Sequence, residues 1–363
     1  MYKQLVKPFL FRMDPERAHH LTISGVHAAG AVPGMTALMR AMYGSPVDSV
    51  LATTLWGLSF ANPVGLAAGL DKNAEAIPGF SAMGFGFLEV GTVTPRPQPG
   101  NEKPRVFRLP EDRALINRMG FNNIGAADMA KALQGNRRRK VPVCVNIGKN
   151  KLTANEEAAE DYRACIRLLY READLFAVNI SSPNTPNLRA LQHGEELRQL
   201  LAAVSDEMAK QAALTQKPVK PVLLKLAPDL TDEMLESIAD VAVSNGISGL
   251  IATNTTISRT GLRHPHAGET GGLSGAPLKE RANEVVRLLY RTTGGQLPIV
   301  GSGGIFTVDD AYQRIRSGAS LVELYTALIY EGPGVTRAIN KGLAERLRSD
   351  GFTAVSQAVG TAL

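Results

Sequence analysis

The sequence predicts an α/β protein: a closed (β/α)8 barrel of the TIM type with a small helical extension at its N-terminus. Three observations carry this. From about Gly57 onward, short apolar runs alternate with longer amphipathic stretches, the rhythm of a parallel sheet with crossover helices. Eight such runs suit a closed barrel better than an open doubly wound sheet. No G-x-G-x-x-G follows an early strand, which argues against a dinucleotide-binding Rossmann domain.

The strands are expected at Asn62–Ala67, Phe87–Val93, Val141–Ile147, Leu175–Ile180, Val222–Leu226, Gly249–Thr253, Pro298–Gly301 and Leu321–Leu324. They are short and rich in Val, Ile and Leu, as strands covered on both faces should be. Two intervening helices carry clear start signals. Thr231 can cap a helix with apolar Met234, Leu235, Ile238, Val241 and Ala242 that ends at Asn245-Gly246. Thr307 with Asp310 resembles a capping box, for a helix ending near Gly318.

The first 45 or so residues do not share the barrel rhythm, so residues 1–45 and 46–363 are expected to be separate units. Tyr2, Leu5, Val6 and Phe9 fall on one helical face. Asp14-Pro15 supplies an N-cap and a first-turn proline for a second helix with Ala18, Leu21 and Val26. Met35, Leu38, Met39, Met42 and Tyr43 form a third apolar cluster after Pro33-Gly34. Such helices can pack as a cap on the barrel or rest on a membrane surface.

Composition narrows the functional classes. With 363 residues, 44% hydrophobic and 20% charged, the chain can fill a large core, and 6% aromatics makes that core mostly aliphatic. The net charge of +6 permits anionic partners but selects none. Cys144 and Cys165 fit neither a disulfide framework nor a metal spacing, and suit a reducing compartment. No apolar stretch reaches the length of a spanning helix, and the start lacks a signal-peptide pattern, so the chain is expected on the cytoplasmic side. His264-x-His266 is too sparse for a metal site, and none is expected. The basic run Arg137-Arg138-Arg139-Lys140 precedes the third strand, on the face opposite a barrel's site, with no aromatics interleaved. It reads as a solvated loop rather than a nucleic-acid surface.

In a β/α barrel the reacting groups come from the carboxyl ends of the strands. After the first strand, Ala67-Ala68-Gly69-Leu70-Asp71-Lys72-Asn73 lets a flat ligand approach the backbone beside one positive charge, although a plain turn with a solvated lysine would read the same way. Thr92 ends the second strand region, and the loop Asn117-Arg118-Met119-Gly120-Phe121-Asn122-Asn123 offers amides suited to a heterocyclic imide. Asn146 and Asn179 end the third and fourth strands, and Ser182, Asn184 and Thr185 lie in a proline-bounded loop. Buried asparagines need either internal partners or a polar ligand. No G-x-S-x-G surrounds Ser182, so an acyl-transfer nucleophile is not indicated. Lys225 lies in an apolar strand and must face a ligand, an acid partner or the strand end. Thr253-Asn254-Thr255-Thr256 is another polar mouth. Gly301-Ser302-Gly303-Gly304, Glu323-Leu324-Tyr325-Thr326 and Gly272-Leu273-Ser274-Gly275 read together as a phosphate cradle. From the residues alone, the site takes a phosphate-bearing cofactor and a small polar ring.

These segments resemble the motifs of quinone-dependent, membrane-associated (class 2) dihydroorotate dehydrogenases. The resemblance runs over nearly the whole chain, including Asp14-Pro15-Glu16-Arg17-Ala18-His19, Gly69 to Asn73, Asn117 to Asn123, Asn179 to Asn187, Thr253 to Thr256, and the glycines near Gly275 and Gly304. It implies FMN, with its phosphate held around Gly275, Gly304, Tyr325 and Thr326. Ala68, Gly69, Leu70, Asp71, Lys72, Thr92, Asn146, Asn179, Lys225 and Thr253 would then lie along the flavin. Dihydroorotate would be held by Lys72, Asn117, Arg118, Met119, Gly120, Phe121, Asn184, Asn254 and Thr255. The position matching the family's base is Ser182; soluble relatives carry a cysteine there. Thr185 and Phe121 would shape the proton path, and His19, Arg108 and Tyr325 the polar end of the quinone path. The resemblance further implies ubiquinone or menaquinone as acceptor and a monomer resting peripherally on the cytoplasmic face of a bacterial inner membrane. Its nearest rival is another FMN barrel acting on a dihydropyrimidine or a dihydrouridine.

Overall fold

The computed structural model of the chain describes residues 2–137 and 139–363; Arg138 of the basic run lies outside the described residues. Eight parallel strands close into a barrel: β1 (Val64–Leu66), β2 (Phe87–Val93), β3 (Val143–Ile147), β4 (Leu175–Asn179), β5 (Val222–Leu226), β6 (Gly249–Ala252), β7 (Ile299–Ser302) and β8 (Ala319–Leu324). All eight expected strands are present, β2 and β5 with the expected bounds and the others with shifted ends. β1, β3 and β7 each begin just after a proline (Pro63, Pro142, Pro298), which has no N–H to give a ladder. β8 begins two residues earlier than expected, at Ala319.

The period of two along each strand sorts the barrel interior into layers. Phe87, Cys144, Leu175, Ala177, Leu223, Ile251, Val300 and Leu321 form an apolar lower layer, packed against Phe60 and, below it, Leu55, Trp56 and Leu58. Those last residues belong to a hairpin, Thr53–Leu55 with Leu58–Phe60, that closes the bottom of the barrel. Two residues further along the same strands come Glu89, Asn146, Asn179, Lys225, Ser302 and Glu323, all buried. The strand residues between these, such as Leu88, Val90, Val143, Val145 and Val178, face outward into the main core beneath the helices.

The long segment from Thr94 to Asn123, which carries the loop expected at Asn117–Asn123, folds further. Val106–Leu109 and Ala114–Asn117 pair antiparallel, and Gly272–Gly275 adds a third strand. Gly272–Gly275, expected wholly as a phosphate turn, is therefore a strand whose last residues alone reach the barrel mouth. The caps at Thr231 and Thr307 form as expected, the latter as a full capping box with Asp310.

The N-terminal extension consists of α1 (Lys7–Arg12), preceded by a wider turn Tyr2–Val6, then α2 (Pro15–Ala31) and α3 (Met35–Tyr43). Asp14 caps α2, accepting from the N–H groups of Glu16 and Arg17. Among the described residues, no helix is long and apolar enough to cross a membrane. α2 is tied to the rest by a buried ion pair, Glu16 with Arg105 at 2.8 Å, and Lys103 adds a second contact at 3.3 Å. Burial alone would raise the Glu16 carboxyl, but Arg105 and Lys103 outweigh it and hold its pKa at about 2.

The linkage has a definite sign. The folded carboxyl stays ionised below the ordinary value of 4.5, so its contribution is present above that pH and is lost as pH falls toward 2. The wild-type protein should lose up to about 3 kcal/mol from this group between pH 5 and pH 2. Glu16→Gln should be less stable at pH 6 and show a flatter acid limb, measured by urea denaturation across that range.

Candidate active site

The carboxyl ends of the barrel strands open into a pocket. It brings together most of the expected residues: Ala68, Gly69, Lys72, Thr92, Asn117, Met119, Gly120, Phe121, Asn179, Ser182, Asn184, Lys225, Thr253, Asn254, Thr255, Gly275, Gly304, Tyr325 and Thr326. Ser274, Ser302, Gly303, Ile305, Phe306 and Glu323 join them. Four expected residues stand outside its wall. Asn146 is buried one layer beneath, Leu70 lines a neighbouring cavity, and Asp71 turns away to accept from the N–H groups of Glu75 and Ala76. Burial pushes the Asp71 carboxyl up to about 6. The Arg118 guanidinium leaves the pocket to pair with Glu269 at 2.7 Å and to cover the Phe107 ring.

Beneath the pocket lies a charged network that the sequence reading only half found. Lys225 Nζ stands 2.5 Å from Glu89 Oε2, which also accepts from the Ala68 N–H at 2.8 Å. Glu89 Oε1 accepts from Asn146 Nδ2 at 2.7 Å, and Asn146 Oδ1 receives the Thr92 hydroxyl at 2.5 Å. Asn179 Nδ2 donates to the same Thr92 oxygen at 2.9 Å. The repeated asparagines at strand ends are thus largely paired with one another, the internal alternative left open above. Burial pulls the Lys225 ammonium down, but Glu89 and Glu323 more than offset it, and its pKa is raised. Glu323 is pushed well above the carboxylate range by burial and then by Glu89. Glu89 escaped notice, although its signal was present: one carboxylate inside the apolar run Phe87–Val93.

Around the pocket rim two clusters face each other. Asn184 Nδ2 donates to the Asn117 carbonyl at 3.1 Å, joining the two loops. Asn254 Nδ2 donates to Ser181 Oγ at 2.9 Å, and the Ser182 hydroxyl accepts from the Asn184 N–H at 3.2 Å. Lys72 reaches the rim from the β1 loop; burial first, then the charge of Arg105, lowers its pKa to about 8.

On the opposite rim, Gly303 and Gly304 take φ of 100° and 74°, values that suit glycine. Among the described residues, the N–H groups of Gly303, Gly304 and Ile305 donate to no protein acceptor. Their carbonyl side is fixed by Arg314, fully buried, which donates to the Ser302 carbonyl at 3.0 Å and the Gly303 carbonyl at 2.8 Å. Ser274 and Thr326 hydroxyls meet at 2.9 Å beside this turn. Free N–H groups held outward by a buried guanidinium make an anion cradle. Arg314 is a residue that sequence reasoning missed, since an arginine in an amphipathic helix looks solvated.

A second cavity of about 490 Å³ lies between α1, α2 and the barrel mouth. Its lining is apolar, with Val6, Leu10, Phe11, Ala18, Val26 and Met39, and also holds His19, Arg108 and Tyr325. Burial, then the charge of Lys72, lowers the His19 pKa to about 3, so the ring is neutral at physiological pH. Asn117, Met119, Ser274 and Tyr325 line both cavities and form their common wall. Leu5, Phe9, Leu38 and Met42 of the same N-terminal segment point into solvent instead. Among the described residues, no three His, Cys, Asp or Glu side chains gather as a metal site.

Fold and site together define a β/α-barrel enzyme with an anion cradle, a polar slot over a buried cation, and a separate apolar site sharing one wall. The comparisons with known proteins agree on which one. A family model described as dihydroorotate dehydrogenase matches residues 50–347. A dihydroorotate dehydrogenase (quinone) of Deinococcus deserti is 56% identical over 360 residues, covering 99% of each chain. That of Deinococcus radiodurans is 54% identical over 367 residues, covering 98% of this chain and 99% of its own. Among solved structures, the DHODH of Eimeria tenella in complex with ferulenol aligns with TM-score 0.88 at 44% identity, covering 96% of each chain. The chain belongs to the dihydroorotate dehydrogenase family, and it is an oxidoreductase of that flavin-dependent group.

Arg314→Met should test the cradle. Removing the guanidinium strands the Ser302 and Gly303 carbonyls, for a loss of about 3 kcal/mol. A lower melting temperature with weaker retention of flavin on gel filtration is the expected result.

Proposed function

We propose that this barrel oxidises (S)-dihydroorotate to orotate, a step of pyrimidine biosynthesis, on FMN held at the strand ends, and passes the electrons to a quinone in the second cavity. The observation that carries the reading is the shared wall: a polar slot suited to a planar ring adjoins an apolar chamber, with Asn117, Met119, Ser274 and Tyr325 lining both. FMN, when bound, supplies a two-electron acceptor with a flat ring and a terminal phosphate. The fit rests on the residues present. The Gly303–Ile305 N–H groups with Gly275, Tyr325 and Thr326 suit the phosphate, and among the described residues the buried Thr253 hydroxyl and Glu323 carboxyl have no hydrogen-bond partner.

Within that reading each residue has a task. Lys225 keeps its proton because Glu89 lies against it, so it presents a fixed positive charge under the slot where negative charge develops. Lys72 offers a cation to the carboxylate of dihydroorotate. Asn117, Asn184, Asn254 and Thr255 match the ring's imide and amide groups as donors and acceptors. Met119, Gly120 and Phe121 close the slot over the substrate. Ser182 Oγ takes the substrate's proton. A serine hydroxyl is a weak base at neutral pH, so the proton must move on. Thr185, on the same loop and with a buried hydroxyl that among the described residues has no hydrogen-bond partner, and Phe121 shape that exit. Of the expected set, Arg118 acts through its backbone only, and Leu70, Asp71 and Asn146 support from behind.

Residues 1–45 form the quinone-access unit on residues 46–363. Apolar side chains on one face line the chamber, those on the other rest on the membrane, and His19, Arg108 and Tyr325 mark the chamber's polar end. The protein is a monomer lying peripherally on the cytoplasmic face of the inner membrane, using ubiquinone or menaquinone.

The deciding experiment is the visible spectrum of the purified protein without oxygen. An oxidised flavin band should bleach on adding dihydroorotate and return on adding a quinone. A flavin that does not bleach would move the substrate to another reduced pyrimidine. Ser182→Ala should slow the bleaching by at least about 100-fold while orotate still binds, as stopped-flow and titration would record. Phe9→Asp combined with Leu38→Asp should abolish co-sedimentation with anionic vesicles and leave bleaching by dihydroorotate unchanged.

A further inference from the structure

One run of hydrogen bonds joins the N-terminal helices to the substrate loops without entering either cavity. Glu16 in the first turn of α2 is 4% exposed, and Arg105 is 6% exposed. The guanidinium meets the carboxylate edge-on, Nε to Oε2 at 3.0 Å and Nη2 to Oε1 at 2.8 Å. Its remaining nitrogen, Nη1, donates to the carbonyls of Pro99 at 2.8 Å and Asn101 at 2.6 Å. Asn101 then spans two loops. Its Nδ2 donates to the Arg118 carbonyl at 3.0 Å and the Asn184 carbonyl at 3.1 Å, and its N–H donates to the Met119 carbonyl at 3.0 Å. The path has no slack: a Cβ on Gly100 would stand 2.2 Å from the Met119 carbonyl oxygen and 2.7 Å from Arg105 Nη1.

We propose that Glu16, Arg105 and Asn101 form a positioning relay that couples the seating of α2 to the closure of the two loops around dihydroorotate. The relay rests on the reading of Asn117, Ser182 and Asn184 as substrate contacts, and none of its three members lines the pocket. A bidentate pair fixes distance and angle together, so displacing α2 displaces Arg105 and, through Nη1, the Asn101 backbone. Replacing such a pair by apolar side chains would serve stability as well or better, whereas an apolar contact would slide. The substrate site is therefore complete only when the quinone-access unit is docked.

The same pair reaches the substrate electrostatically. The charged groups facing Lys72 are Arg105, which lowers its pKa, and Glu16, which raises it. His19 of α2 is neutral and adds no charge. Removing the Glu16 carboxylate leaves Arg105 uncompensated, so Lys72 should lose its proton at lower pH.

The test uses the full-length holoprotein with Glu16→Gln, Arg105→Lys and Asn101→Ala. Orotate affinity is measured by calorimetry, amide exchange is followed in residues 117–121 and 182–187, and kcat and KM for dihydroorotate are taken across pH. Arg105→Lys and Asn101→Ala should each weaken orotate binding about tenfold, raise KM more than they lower kcat, and speed exchange in both loops. Glu16→Gln should speed the same exchange, add little to Arg105→Lys when combined with it, and shift the alkaline limb of kcat/KM to lower pH. Orotate affinity and loop exchange within twofold of wild type in all three, with only a lower melting temperature, would reduce the relay to a structural tie and overturn the proposal. Asn101 is half-buried on a loop, so its variant remains informative if a change at the buried pair prevents folding. If the wild type bound no orotate, the substrate reading would fall, and loop exchange in Glu16→Gln would still decide the coupling.

Discussion

The contact between Lys225 and Glu89 is the constraint around which the barrel mouth is arranged. Two ions taken out of water cost several kcal/mol each, and only close pairing with further hydrogen bonds offsets that. Here Glu89 accepts from Lys225, Asn146 and the Ala68 N–H together, so its charge is spread over three donors on three strands or strand ends. Glu89 and its two side-chain donors are placed by the barrel's period of two, with apolar Phe87, Cys144 and Leu223 two residues below Glu89, Asn146 and Lys225. Shifting any of these strands by one residue would turn its polar side chain into the helix layer and leave the others unpaired. The layer that makes the mouth reactive is thus also the layer that fixes strand register.

Much of this was legible in the sequence because closed parallel barrels leave strong periodic marks. All eight strands, the caps at Asp14, Thr231 and Thr307, and the gathering of Lys72, Ser182, Asn254 and the glycine turns followed from apolar runs and strand-end polarity. The misses have physical reasons. Prolines at positions 63, 142 and 298 trim strand starts, because each lacks an N–H to give the ladder although its carbonyl still accepts from the neighbouring strand. The small sheet of Val106–Leu109, Ala114–Asn117 and Gly272–Gly275 joins segments far apart in the chain, Asn117 pairing with Gly272 and Ala114 with Gly275, so no local pattern announces its third strand. Arg118 carries the substrate-loop motif, yet Glu269, distant in sequence, captures its side chain. Glu89 and Arg314 were visible only as charges in places where charges are expensive, and their roles depend on partners that a single sequence does not order in space.

On the proposed reading, the wall between the two cavities lets one scaffold separate incompatible ligands. A planar, charged substrate needs matched donors, acceptors and a cation, whereas an apolar quinone gains affinity from area removed from water. Mixing those requirements in one pocket would leave polar groups unpaired whenever the apolar ligand bound. Placing Asn117, Met119, Ser274 and Tyr325 between the sites lets each ligand meet only its own kind of surface. Tyr325 contributes to both sides while remaining neutral, since burial pushes its hydroxyl up to about 12.

That separation creates a problem that the Glu16–Arg105 pair answers. Two sites that share a wall but no ligand would fill independently, and a substrate site assembled while α2 was undocked would deliver electrons with no acceptor chamber beside it. A hydrophobic seam along α2 could hold the helix down, but its free energy varies smoothly with displacement and would not report position to the loops. A buried bidentate ion pair falls off sharply with angle and separation, and it leaves two uncompensated charges when broken. The same geometry also sets the field at Lys72, so on the proposed reading one contact governs both the shape of the substrate loops and the charge that draws the substrate carboxylate. The retention of a costly ion pair between the N-terminal helices and the barrel, which already share one apolar core through Ile23, Val26 and Met39, then has a reason: on the proposed relay its work is registration between sites.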